Sequence, residues 1–142
     1  MMSKVISLRL KDYQVESLAR AARRMGRSPS ETAAILLSEA LRQRDFPFIE
    51  FRDSSVGRQA YLQGTRLTIW QIVEIARDYG GDIASTAEHL DTPKVQIAAA
   101  LKYAAAFPEE IEAAISDNEW SADHIEQLVP NVKVMNVDAP SA

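Results

Sequence analysis

The chain has 142 residues, of which 46% are hydrophobic, and a formal net charge of -4 at pH 7. This length and composition are typical of one ordinary globular domain or two small ones, and they argue against a chain that is disordered throughout. The absence of cysteine excludes a disulfide framework, a thiolate zinc site and a cysteine nucleophile.

The first residues, MMSKVISLRLKDYQ, interrupt their apolar side chains with charges, so they lack the apolar core of a signal peptide. No apolar run in the sequence is long enough to span a bilayer. We therefore expect a cytoplasmic protein.

The net charge is divided unevenly along the chain. Residues 1–52 carry 10 Lys/Arg against 6 Asp/Glu, a net charge of +4, whereas residues 53–142 carry 6 Lys/Arg against 14 Asp/Glu, a net charge of -8. Because a phosphate backbone attracts positive charge, only the first half suits a nucleic acid.

The first predicted element is a strand over residues 4–10. Its apolar side chains alternate with polar ones, the period of a half-buried strand. A helix then follows from the cap Asp12 to about Met25, with an apolar side chain at every third or fourth position, and Gly26 ends it.

A second helix begins at Ser28-Pro29-Ser30-Glu31, a sequence typical of a helix cap, and runs to about Arg44. One strand and two helices enclose a very small core, so we expect two chains to associate. The expected dimer core contains Ile6, Leu8, Leu10, Ile35 and Leu36.

The remainder predicts a second domain over residues 46–116 and a C-terminal tail over residues 117–142. The domain has two short strands near Gly57 and helices over about 67–79, 82–89 and 93–107. From Pro108 onward, acidic residues outnumber basic ones by 8 to 1. The expected fold class is therefore mainly α with short β.

The strand, helix, glycine turn and helix of residues 4–44 resemble the ribbon-helix-helix family of bacterial repressors and antitoxins, through ISLRL, Asp12, Met25-Gly26-Arg27-Ser28 and Ser30-Glu31. The resemblance covers about a third of the chain. It implies that two chains pair their strands into an antiparallel ribbon that enters the major groove, where Val5, Ser7 and Arg9 read base edges. Arg bonds guanine, Ser bonds several edges and Val packs on a thymine methyl.

The same resemblance, together with the free amides at a helix start, predicts phosphate contacts. They are assigned to Lys4, Arg27, Ser28 and Ser30. The alternative is an ordinary edge strand followed by a routine helix cap.

Residues 49 to about 115 resemble the domain of unknown function 433, which is often found in antitoxins. The resemblance rests on Gly64-Thr65-Arg66-Leu67, on the helix with Trp70 and on the stretch AAALKY at residues 98–103, although Gly57-Arg58 replaces the usual Gly-Gly pair. We interpret Gly-Thr-Arg as structural. The helices near 82–89 and 93–106 have a helix-turn-helix outline, but alanines and acidic surroundings favour protein contact over DNA contact there.

Together, the two resemblances imply the antitoxin of a type II toxin-antitoxin pair, with a PIN-like ribonuclease as the toxin. The protein would form a homodimer or a higher oligomer and repress its own operon. The residues expected to contact the toxin are Trp120, Ile125, Leu128, Val129, Val132 and Met135. The alternative for these residues is that they fold back onto the domain or form a dimer contact, and the alternative function is a stand-alone repressor without a toxin.

The sequence gives little sign of catalysis. His89 and His124 have no ligand-like partner at helical spacing, and no phosphate-binding glycine loop or nucleophile motif is present. Glu109, Glu110 and Glu112 suit a helix start. We therefore expect no enzyme activity, no metal and no cofactor.

Overall fold

The structure is a computed structural model that describes residues 3–128, with side chains as far as Trp120. It is mainly helical with one two-stranded antiparallel sheet, which confirms the predicted fold class at that level. No helix within these residues is long and apolar enough to cross a membrane. In chain order the elements are α1 (Asp12–Met25), α2 (Pro29–Asp45), β1 (Ile49–Ser54), β2 (Gly57–Leu62), α3 (Ile69–Asp78), α4 (Ile83–Leu90), α5 (Lys94–Ala106) and α6 (Pro108–Leu128).

The chain divides into two compact units, Met1–Leu41 and Arg42–Ala142. The division falls within α2, a little before the boundary that the sequence predicts after residue 45. Helix α6 continues through residue 117, where the sequence predicts the start of a tail, and extends to Leu128. The acidic residues just after position 117 therefore belong to a helix.

Residues 3–11 have no regular secondary structure, so the strand predicted over residues 4–10 is wrong for the single chain. Within residues 3–128, the only sheet is the pair β1 and β2. A strand is held by hydrogen bonds to a neighbouring strand. The described part of the chain supplies no such neighbour to residues 4–10.

Helix α1 begins at Asp12, which is its first helical residue and not the predicted cap. The position before it is Lys11, whose N–H donates to Oε1 of Gln14 at 2.8 Å and so holds the first turn. Gly26 ends the helix in the left-handed conformation, with φ of 65°, as predicted. A side chain is disfavoured at this φ, which is why glycine suits the position.

Two strands form a hairpin near Gly57, as the sequence predicts, although both strands are longer than predicted. Ile49 in β1 lies opposite Leu62 in β2, and Gly57 has φ of 111° where the turn enters β2. Phe48 also has a positive φ of 66°, and its side chain packs against the core. The chain therefore turns sharply between α2 and β1 with an aromatic anchor at the turn.

A tight turn joins the hairpin to α3. Gly64 has φ of 76°, and Thr65 Oγ1 donates to the carbonyl of Leu62 at 2.8 Å while it accepts from the N–H of Leu67 at 3.0 Å. The guanidinium of Arg52 donates to the carbonyl of Thr65. These contacts give Gly64 and Thr65 a structural role, in agreement with the interpretation of the Gly-Thr-Arg sequence.

The second unit contains the apolar core, which lies between the hairpin and helices α3 to α6. Helix α3 begins at Ile69 and not at Leu67, because Thr68 caps it by accepting from the N–H of Gln71 at 3.3 Å. Asp82 caps α4 in the same way. The largest fully buried apolar side chains are Leu62, Ile69, Ile72, Ile97 and Tyr103.

Candidate nucleic-acid interface

The N-terminal segment exposes both its proposed base-reading residues and its proposed dimer residues. Val5 is 95% exposed, and Ser7 and Arg9 are exposed as well. On the alternate positions, Ile6 is 81% exposed and Leu8 is 70% exposed, although the sequence predicts them in a dimer core. A burial gain of about 25 cal/mol per Å² of apolar surface is therefore available to any partner that covers these side chains.

Helices α1 and α2 also leave apolar side chains exposed to solvent. Among residues 3–41, only Ala22 and Thr32 are buried, and the hydroxyl of Thr32 has no hydrogen-bond partner. A unit with so few buried side chains does not have a core of its own in the single chain. The large apolar side chains exposed on its helices are Tyr13, Val15, Leu37 and Leu41.

Helix α2 exposes apolar side chains next to the two residues that the sequence assigns to the dimer core. Ile35 and Leu36, which were assigned to that core, are half-buried in the single chain, whereas Leu37 and Leu41 are exposed. The exposed pair forms a stripe with Ala34 at a spacing of three and then four residues. This spacing places the three residues on one helix face. The same spacing is a signal in the sequence for a second apolar stripe on α2.

Three of the four predicted phosphate contacts lie at the start of α2, where the Glu31 side chain already binds two of them. Ser28 Oγ accepts from the N–H of Glu31 at 3.2 Å and donates to Oε1 of Glu31 at 3.1 Å. Arg27 Nη1 lies 3.4 Å from the other carboxylate oxygen of Glu31. Lys4 and Ser30 are exposed. The Glu31 carboxylate thus satisfies two of the groups that were predicted to bind phosphate.

We expect Glu31→Gln to strengthen binding to a random DNA duplex by about two- to fivefold at low salt, because it removes a competing negative charge worth about 0.5–1 kcal/mol at the helix start. Fluorescence anisotropy of a labelled duplex measures this change. Glu16→Gln, which makes the same charge change on an exposed residue of α1, is the control. Equal strengthening by both variants would assign the effect to net charge and not to this position.

The residues proposed for toxin contact are only partly described. Trp120 is exposed on α6. Ile125 and Leu128 lie on the same helix, but their side chains are outside the described part of the chain. Val129, Val132 and Met135 lie outside the described residues. The structure therefore places one proposed anchor on a helix surface.

A polar cluster not foreseen from the sequence joins Arg42, Tyr103 and Glu110. Arg42 Nη1 donates to Tyr103 Oη at 2.9 Å and to Glu110 Oε1 at 2.8 Å, and Tyr103 Oη donates to Glu110 Oε2 at 2.6 Å. The Arg42 guanidinium also stacks over the ring of Phe107 at 3.9 Å. Every polar atom at the centre of the cluster is therefore paired.

The electrostatics of this cluster favour the ion pair and the neutral phenol. Burial, together with the hydrogen bond to Glu110, raises the pKa of Tyr103 well above its usual range. Burial opposes the charge of Arg42, but the hydrogen bonds to Glu110 and Tyr103 outweigh it and raise the pKa of Arg42. Because neither group titrates near neutral pH, the cluster is suited to holding helices together and not to proton transfer.

His89 contacts a tyrosine, and the side chain of His124 lies outside the described part of the chain. His89 Nδ1 lies 2.7 Å from Tyr79 Oη, and both side chains are exposed. Across the described residues, no group of three or more His, Asp or Glu side chains is arranged to hold a metal ion.

Comparisons of the chain with known protein families, with curated proteins and with solved structures found no match.

Proposed function

We propose that the protein is a dimeric DNA-binding regulator that acts as the antitoxin of a type II toxin-antitoxin pair. The observation that carries the DNA-binding part is the N-terminal segment, in which exposed Ile6, Leu8 and Leu10 alternate with exposed Val5, Ser7 and Arg9. The apolar side chains of Ile6, Leu8 and Leu10 need a partner surface that buries them. Val5, Ser7 and Arg9 stay exposed when that surface is present.

A second copy of the same segment can provide this partner surface. Two copies paired as antiparallel strands place Ile6, Leu8 and Leu10 of both chains on one face, against the exposed apolar residues of α1 and α2. The pairing also supplies the hydrogen bonds that residues 4–10 lack in the single chain. The exposed stripe with Leu37 and Leu41 on α2 extends the apolar surface available to the dimer.

The opposite face of such a ribbon carries Val5, Ser7 and Arg9, and a two-stranded ribbon fits the major groove of DNA. Residues 1–41 carry 7 Lys/Arg against 4 Asp/Glu, so this unit is attracted to phosphate. Lys4, Arg27, Ser28 and Ser30 supply the phosphate contacts in this proposal. The DNA sequence that the ribbon binds is the operator of the protein's own operon.

We expect Arg9→Ala to weaken operator binding by roughly 10- to 100-fold, because a bidentate Arg–guanine pair is worth about 1–3 kcal/mol. The measurement is a fluorescence-anisotropy titration of the upstream operon DNA and a random duplex at several salt concentrations. Arg20→Ala removes the same charge from the exposed surface of α1 and should keep the preference for the operator. If Arg9→Ala also keeps the preference, Arg9 does not read bases, and if wild type shows no preference, the regulator proposal fails.

The antitoxin part of the proposal is supported by the charge of the second unit. Residues 42–142 carry 9 Lys/Arg against 16 Asp/Glu, a net charge of -7, and Trp120 lies exposed on an acidic helix. An acidic surface complements the basic surface of an RNA-binding protein. It is therefore suited to cover the active site of such a partner. A PIN-like ribonuclease is the partner that the resemblance implies.

A direct test of this part uses the protein encoded next to this one. We expect the neighbouring protein to be a small ribonuclease whose cleavage of RNA stops when one equivalent of this chain is added. If operator binding is present and no such inhibition occurs, the protein is a stand-alone repressor.

A further inference from the structure

A groove in the second unit lies between α3, α5 and α6 and has no part in the DNA-binding proposal. Its volume is about 230 Å³, and its apolar lining includes Val73 of α3, Leu101 and Ala105 of α5, and Ile111 of α6. This volume accepts one large aliphatic or aromatic side chain. Because Ala105 is small and exposed, a partner backbone can approach the groove closely.

One side of the groove is formed by the ion pair between Arg77 and Glu112. Both side chains are about half exposed, 53% and 55% respectively. An exposed pair of this kind contributes about 0–1 kcal/mol, so it opens at low cost. A cation from a partner can therefore replace Arg77 beside Glu112.

Helix α6, which forms one side of the groove, is strongly acidic along its sequence. The sequence of α6, PEEIEAAISDNEWSADHIEQL, contains seven Asp or Glu and no Lys or Arg. Pairing of two copies through α6 would bring these like charges together, which disfavours a second α6 as the occupant. A positively charged partner gains from the same charges.

We propose that this groove binds a Lys- or Arg-rich amphipathic helix of the partner protein, with one large apolar side chain inserted between Val73, Leu101 and Ile111. The basic residues on either side of that side chain pair with Glu112 and the other exposed acids of α6, which is the usual helix-in-groove mode of recognition. This inference rests on the proposed partner-binding role of the second unit and is independent of DNA binding.

The test uses the full chain and a fluorescein-labelled synthetic helix of Lys and Ala with a central stripe of Leu. We expect this peptide to bind, and we expect peptides with Glu in place of Lys, or with Ala in place of Leu, not to bind. Ala105→Arg fills and charges the groove and should weaken binding at least tenfold. Ala113→Arg makes the same change at an exposed position of α6 outside the groove, and should alter binding by no more than about threefold.

Three results would overturn the groove proposal: no binding of the Lys/Leu peptide to wild type, equal weakening by both variants, or a loss of oligomer mass on Ala105→Arg without peptide binding. The last result would make a second copy the occupant. The neighbouring ribonuclease separates this proposal from the antitoxin role. If the ribonuclease binds wild type and Ala105→Arg equally, the groove proposal fails and the antitoxin role stands. If the ribonuclease does not bind wild type, the antitoxin role fails, and the peptide titration alone tests the groove proposal.

Discussion

Replacement of Leu8 by Glu is expected to leave the full chain monomeric at micromolar concentration and unable to bind its operator. Leu8 is 70% exposed in the single chain, and the proposed pairing of two chains covers it. Loss of one buried leucine costs about 1.5–3 kcal/mol, and the dimer contains two copies, so the loss is about 3–6 kcal/mol before the burial of two charges is included. The dissociation constant should therefore rise more than a hundredfold.

Sedimentation equilibrium measures this effect, since wild type should have a mass near twice the 15.8 kDa of one chain. Val56→Glu makes a similar change at an exposed apolar residue in the hairpin turn, and should remain a dimer. If Leu8→Glu keeps the wild-type mass, the N-terminal segment does not hold the chains together.

Tyr103→Ala is expected to destabilise the second unit by about 3–5 kcal/mol, the usual cost of removing a large buried ring. The Tyr103 side chain is fully buried, and its ring packs against Phe46, Phe51 and Phe107. The change also removes the hydroxyl that joins Arg42 to Glu110. Urea denaturation followed by tryptophan fluorescence reports on this unit alone, because both tryptophans of the chain lie within it.

Tyr103→Phe separates packing from hydrogen bonding in the same position. It keeps the ring and removes only the hydroxyl, and the pair between Arg42 and Glu110 at 2.8 Å is retained. We expect a loss of about 1 kcal/mol. Equal losses for the two variants would mean that the ring contacts contribute little and that the polar cluster dominates.

Much of the fold could be predicted from local signals. Gly26 ends α1, Ser28 caps α2, Asp82 caps α4 and the hairpin forms near Gly57, because these positions need a particular backbone angle or a side-chain acceptor. Such requirements are visible in a single sequence. The start of α3 was misplaced because Leu67, which is apolar and buried, continues the helical pattern outside the helix.

Features that depend on contacts distant in sequence could not be predicted. The network between Arg42, Tyr103 and Glu110 joins residues 61 and 68 positions apart, and no local pattern indicates it. The groove formed by α3, α5 and α6 has the same origin. The strand over residues 4–10 failed for a different reason: its residues alternate with the period of a strand, but residues 3–128 contain no strand that pairs with it.

The proposed nucleic-acid interface could be predicted only in part from the sequence. Alternation predicts which side chains of residues 4–10 share a face, and all of these residues are exposed in the structure. The contacts of Glu31 with Ser28 and Arg27 were not predicted. A helix cap and an anion-binding site use the same residues at a helix start, so the sequence does not separate the two. Leu37 is exposed and its neighbour Leu36 is half-buried, and the spacing of Leu37 from Ala34 and Leu41 is the signal that separates them in the sequence.

The pairing of two N-terminal segments can be measured directly, because the chain has no cysteine. In antiparallel strands centred on residue 7, the two copies of Ser7 lie opposite each other with Cα atoms about 4.5–5.5 Å apart, within reach of a disulfide. Mild oxidation of the Ser7→Cys variant should convert most of it to a covalent dimer, whereas Ser55→Cys, in the exposed hairpin turn, should stay uncrosslinked. A Ser7→Cys variant that crosslinks no faster than Ser55→Cys would contradict the proposed ribbon.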